Sequence, residues 1–136
     1  MTYGLTDSAD RDLKQIAAAT KKHFGTYQLD IYERIIERGL EISGNGPECP
    51  GSLERPEIAP DVRLFHLELA AGRSGAAAHC LYYTTGRLSN GVVGTIILRV
   101  LHESMEPRYR VVRSLKSIAS QRTAKIETPP EPDGHA

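Results

Sequence analysis

The chain has 136 residues, 40% of them hydrophobic, and a formal charge of zero at pH 7 with a pI near 7.0. That is apolar material for one ordinary core and hardly for two, and the balanced charge excludes the global basic field of a dedicated DNA or RNA binder. No apolar run approaches the roughly 20 residues of a membrane span, and Met1 to Asp7 lacks the basic and apolar regions of a signal peptide, so a cytoplasmic location is expected.

Residues 2–5 read as a short strand, after which Thr6, Asp7 or Ser8 caps a helix. Leu13, Ile16, Ala17, Thr20 and Phe24 recur at helical spacing, with Asp7, Asp10 and Asp12 at the start and Lys21, Lys22 and His23 at the end, as the helix dipole favours. Gly25 closes this helix. A second runs from Thr26 to about Ser43 on a stripe of Leu29, Tyr32, Ile36 and Leu40, widened by Ile35 and Ile42. So short a joint at Gly25 and Thr26 predicts an antiparallel helical hairpin, whose shared stripe has only a sheet to lie on.

Gly44 to Pro60, punctuated by glycine and proline, is predicted as one long loop. Val62 to Ala70 alternates, with Phe65, Leu67 and Leu69 on one face and His66 and Glu68 on the other, as in a half-buried strand. A turn over Ala71 to Ala76 leads to a second strand, Ala77 to Thr85, and Gly86 to Gly91 leads to the core strand that opens at Gly94. Connections this short predict an antiparallel meander. On the core strand, alternation sends Ile96, Leu98 and Val100 to a wholly apolar face and Thr95, Ile97, Arg99, Leu101 and Glu103 to a mixed one. The mixed face calls for a covering segment or a partner chain. Beyond Pro107, Val111, Val112, Leu115 and Ile118 repeat at helical spacing among Arg108, Arg110, Arg113 and Lys116, giving a basic amphipathic extension over 110–127. Residues 128–136, rich in proline and charge, are predicted to be a disordered tail. The expected fold class is α+β: an N-terminal antiparallel helical hairpin on a small antiparallel sheet, with the basic extension following.

Leu5-Thr6 with Ala9, Asp12, Leu13 and Ile16, then Phe24-Gly25, Tyr82-Tyr83, and Ile97-Leu-Arg-Val-Leu-His-Glu-Ser-Met-Glu106 together resemble the ParE/RelE superfamily of toxins from bacterial type II toxin–antitoxin modules, the ParE branch more closely. The last segment is similar to the family's terminal strand, and the likeness covers roughly residues 3–109, making 1–109 the toxin-like domain. Glu106, where the family usually has Asp, and the residues past 109 depart from its pattern. The resemblance implies a toxin neutralised in a hetero-oligomer by a ParD-like antitoxin and acting on DNA gyrase by binding. The alternative it implies is a RelE-type, ribosome-dependent mRNA endoribonuclease.

In a ribonuclease the analogous candidates would be Arg87, Arg99, His102, Glu103 and Tyr109, with Arg99, His102 and Tyr109 as the catalytic set. Such chemistry needs a base for the 2′-hydroxyl, cations for the phosphorane and an acid for the leaving oxygen, and an imidazole titrates in the right range. The plainer reading of His102, a strand-end imidazole bonded to a backbone carbonyl, is preferred. Arg99 either pairs with an antitoxin carboxylate or a gyrase surface, as the resemblance implies, or forms a salt bridge with Glu68 or Glu103 on neighbouring sheet positions. The partner-binding candidates are Ile97, Arg99, Leu101, Met105, Arg108, Arg110 and Arg113. Tyr82 and Tyr83 belong to sheet packing on opposite faces. Cys49 and Cys80 have neither zinc nor redox-motif spacing and read as inert thiols, and His23, His66, His79 and His135 show no metal-ligand spacing. Neither a metal nor a cofactor is implied, nor sequence-specific nucleic-acid recognition, nor a membrane.

Overall fold

In a computed structural model, which describes residues 3–121 and 125–126, the chain forms β1 (Tyr3–Leu5), α1 (Asp7–Asn45), β2 (Leu53–Glu54), β3 (Arg63–His66), α2 (Glu68–Ala71), β4 (His79–Arg87), β5 (Val93–His102), α3 (Arg108–Gln121) and β6 (Lys125–Ile126). The predicted tail over 128–136 lies outside the described residues, as does part of the extension over 110–127. Among the described residues the fold is α+β, with one open sheet in the order β2-β3-β4-β5-β1-β6. None of the described helices is long and apolar enough to cross a membrane.

The sheet is mixed, which corrects the expectation of an antiparallel one. β2 to β5 pair antiparallel, but β1 lies parallel to β5, with Tyr3 opposite Thr95 and Leu5 opposite Ile97. No hairpin joins β1 to β5, so antiparallel geometry is not imposed on that pair. What fixes β1 is the start of α1: the Thr6 side chain caps the helix by accepting from the Ala9 amide at 3.0 Å and donates to the Leu98 carbonyl at 2.9 Å. β5 therefore has a neighbour on each side, as its apolar run demands.

α1 is broken at Gly25, whose φ of 90° and ψ of 172° are not helical. Positive φ is a conformation glycine adopts without strain, so the residue expected to end the first helix does so. Before the break, Ala9 and Ile16 are buried against the sheet; after it, Ile36 and Leu40 are buried in the same cluster. Gly39 permits the second contact, because a Cβ there would lie 2.4 Å from Leu67 Cδ2. Phe24, expected in the apolar stripe, is instead 71% exposed. Asp7 to Phe24 is about 27 Å long as a helix, and its last turns run past the edge of the surface it covers, leaving residues 21–28 exposed.

The predicted strand over Val62 to Ala70 is shorter than expected. It stops at His66, and Glu68 to Ala71 forms a helical turn closed by Gly72 in the left-handed region. Alanine-rich sequence favours the turn, which buries Leu67 and Ala70 three residues apart and leaves Leu69 half exposed. The expected loop over 44–60 includes β2 and is tied down by Tyr83. Its buried ring carries the hydroxyl to 2.7 Å from both the Pro47 carbonyl and the Ser52 hydroxyl, while Arg63 Nε donates to Ser52 Oγ at 2.6 Å.

Alternation on β5 holds only to its middle. Tyr82 faces Arg99 and Tyr83 faces Ile97, so Leu98 is the extra residue of a β-bulge. Past it the phase changes: Ile97 and Val100 share the α1 face, while Ile96, Leu98 and Leu101 share the other. Tyr82 and Tyr83 do occupy opposite faces. The second face is covered by α3, whose Val111 is fully buried and whose Ser114 hydroxyl donates to the Leu98 carbonyl at 2.9 Å. The covering segments therefore come from the chain itself. Cys49 packs against one cluster and Cys80 within the other, so the sheet separates the two thiols. Burial pushes the Cys80 thiol up to about 11, which keeps it protonated and unreactive at neutral pH.

Tyr83→Phe keeps the packing and removes the hydroxyl that anchors the loop. It should cost about 1–2 kcal/mol in urea unfolding and speed proteolytic cleavage within residues 46–52.

Candidate functional site

The bulge decides where the polar groups of β5 go. Asp12, on the buried side of α1 between Ala9 and Ile16, receives Arg99 Nε at 2.7 Å and Nη2 at 2.8 Å, and the Val100 amide at 2.9 Å. This is a two-pronged guanidinium–carboxylate pair with a backbone bond added, and its side chains are only 21% and 9% exposed. Arg99 therefore pairs with neither Glu68 nor Glu103. Its partner is on the helix laid across the strand, not on the sheet.

Just beyond this pair, the antiparallel meander brings the end of β3, the start of β4 and the end of β5 to one edge of the sheet. Each carries a histidine there. His79 lies in register opposite His102, their ring centroids 5.4 Å apart and nearly perpendicular. The Tyr32 hydroxyl, from the second half of α1, accepts from the Ala78 amide at 3.3 Å and lies 2.7 Å from His79 Nδ1. His102 Nδ1 accepts from the Ser104 amide at 3.1 Å, so this imidazole does meet the backbone, through an amide rather than the expected carbonyl. His66 Nδ1 accepts from the Glu68 amide at 3.1 Å, so Nε2–H donates to Glu103 Oε1 at 2.6 Å.

Burial raises the Tyr32 pKa. Burial first, and the neighbouring His102 second, lower that of His79. The bond from His66 lowers that of Glu103. The histidine edge opens on a groove of about 370 Å³ whose walls include Ile16, Phe24, His79, Leu101, His102 and Met105. Its groups could move a proton, but the Arg99 charge beside them is neutralised by Asp12.

Of the residues expected at a site, Arg99, His102 and Met105 are brought together on this groove, with Met105 44% exposed. Ile97 and Leu101 are buried on opposite faces. Arg108, Tyr109, Arg110 and Arg113 stand on α3, which packs on the other face of the sheet. Arg87 ends β4 opposite Val93, the length of β5 (about 30 Å) from His102. Asp12, Tyr32, His66 and His79 complete the site without having been candidates for it. Among the described residues, no group of three or more His, Cys, Asp or Glu is placed to hold a metal ion.

Arg99→Ala leaves the Asp12 carboxylate buried with one backbone donor and should cost about 3 kcal/mol in urea unfolding, as should Asp12→Ala. The double variant should lose clearly less than the sum, since neither charge is then stranded. The His79 pKa is lowered on folding, so the unfolded chain binds the extra proton more readily. Stability should be full above the ordinary histidine range and fall as pH drops below about 6.5. Urea midpoints at about pH 7.5 and 5.5 check this, and His79→Asn, which keeps an acceptor for Tyr32, should flatten the slope.

Compared with models of known protein families and with curated protein sequences, the chain matches none.

Proposed function

We propose that the chain is a ParE-like toxin of a type II toxin–antitoxin pair, which acts in the cytoplasm by binding DNA gyrase and is neutralised by a ParD-like antitoxin. The observation that carries the choice of binding over cleavage is the Asp12–Arg99 pair. RNA cleavage needs a cation aimed at the developing phosphorane charge, and the arginine of the family-like strand spends its charge on the helix beside it. The scaffold reading is supported by where α1 touches the sheet. Before Gly25 it passes from Leu98 to Val100; after Gly25 it passes from Ala78 and His79 to Thr95, whose hydroxyl donates to the Ser43 carbonyl at 2.9 Å. We read the two halves as the arms of a helical hairpin. The cleft of about 600 Å³ between them, with Leu13, Ile16, Leu29, Ile36 and Leu40 in its walls, is a seat for a disordered antitoxin segment that folds on binding.

The three histidines favour the second reading, a RelE-type endoribonuclease with His102 as acid or base. Brief induction in a bacterial host separates the two. Gyrase poisoning should raise the DNA-damage response and filamentation while translation at first continues, His102→Ala should stay toxic, and coexpression of the antitoxin should restore growth. Immediate translation arrest with cleaved mRNA, abolished by His102→Ala, would replace the first reading with the second. Arg99→Ala is the wrong variant for this purpose because it removes the joint that holds the fold.

A further inference from the structure

The surface of α3 remote from the core has a composition that the rest of the chain lacks. From Arg108 to Gln121 the helix carries Arg108, Arg110, Arg113 and Lys116 and no acidic residue, although the whole chain is neutral. Val111 and Ser114 are buried beneath it, and Ser114 is bonded to the Leu98 carbonyl, so the helix presents a fixed outer ridge. Tyr109, Arg113 and Lys116, at positions i, i+4 and i+7, form that ridge over about 10 Å. Tyr109 is 68% exposed, and the Arg113 guanidinium lies 5.5 Å from its ring centroid. Arg34, Arg55, Arg63, Arg99 and Lys14 each pair with a carboxylate, and so does Arg108 at the start of α3, with Glu106 at 3.4 Å, whereas Arg113 and Lys116 form no ion pair among the described residues.

We propose that this ridge is a sequence-independent binding surface for single-stranded nucleic acid, with Tyr109 stacking on a base and Arg113 and Lys116 on successive phosphates. Cations alone would fit any polyanion. The exposed ring in line with them selects a strand whose bases are unstacked, because every base offers a π-face and an acidic peptide offers none. The surface is independent of the target proposed above, and it lies on the sheet face opposite the histidine groove.

The test is fluorescence anisotropy of the full chain with a labelled oligothymidylate of about 20 nucleotides, at about 50 and 200 mM salt. Binding should weaken with salt at a log–log slope of about −1.4, as two phosphate contacts on a single strand give. Arg113→Glu with Lys116→Glu should lower affinity at least about tenfold, Tyr109→Ala about fivefold or more, and Arg113→Lys with Lys116→Arg should retain most of it. All these residues point away from the core, so unchanged melting curves are expected, and the single Lys116→Glu change gives an independent reading of the charge requirement. No binding at low salt would overturn the proposal, as would unaltered affinity in the charge-reversed variant. So would polyglutamate competing as well as unlabelled oligothymidylate, or a duplex binding equally well with no loss on Tyr109→Ala.

Discussion

The carboxylate of Asp12 is where the two halves of the architecture are keyed together. One group on α1 takes both prongs of Arg99 and the Val100 amide, so it fixes the side chain and the main chain of β5 immediately past the bulge. From the other direction, the Leu98 carbonyl left exposed by the same bulge receives the hydroxyls of Thr6 and Ser114, one from the start of α1 and one from α3. The irregularity would otherwise leave backbone groups unpaired in the interior, which costs as much as a lost hydrogen bond. Here it serves as the socket for both covering layers. The polar edge beyond it depends on this anchoring, because the strand end carrying His102 starts from the residue Asp12 holds.

Much of the fold was legible because it rests on local signals. The cap at Thr6, the break at Gly25, the meander and the amphipathic α3 follow from propensity, glycine chemistry and periodicity, each contained within a few residues. The misses come from interactions between distant residues. A bulge leaves no mark on an alternating sequence, so Val100 and Leu101 were assigned to each other's faces. Position in the chain alone makes Asp12 an N-terminal charge favoured by the dipole. Its place in line with Ala9 and Ile16 was the stronger signal, since a carboxylate on the apolar side of a helix needs a buried partner. The histidine edge could have been found from topology: antiparallel strands in succession put the end of one, the start of the next and the end of the third together, and each of those positions holds a histidine. Tyr32 could not have been found that way, because its partners come from helix placement.

The two layers also divide the chemistry of the surface. On the α1 side lie a groove bordered by imidazoles and a cleft with an apolar floor; on the α3 side lies a row of cations with one exposed ring. A neutral net charge conceals this division, since the helix itself carries no acidic residue, Glu106 offsets only Arg108 at its start, and other carboxylates are engaged with basic neighbours of their own. The sheet lies between the two surfaces, so neither contributes side chains to the other.

The parallel pairing of β1 with β5 governs the order in which the molecule can assemble. Thr6 and Leu98, bonded to each other, are 92 residues apart in the chain, and Asp12 and Val100 are 88 apart. Thr6 and Asp12 are made well before Leu98 and Val100, so the start of α1 waits for β5 before it can dock, whereas Ile36 and Leu40 in its second half share a cluster with Phe65, Leu67 and Leu81, which are made earlier. Closing so long a loop is paid before its contacts return anything, which makes folding of such a topology slow and late. Until β5 has been made, the start of α1 therefore has neither the Leu98 carbonyl that Thr6 binds nor the Val100 amide that Asp12 receives.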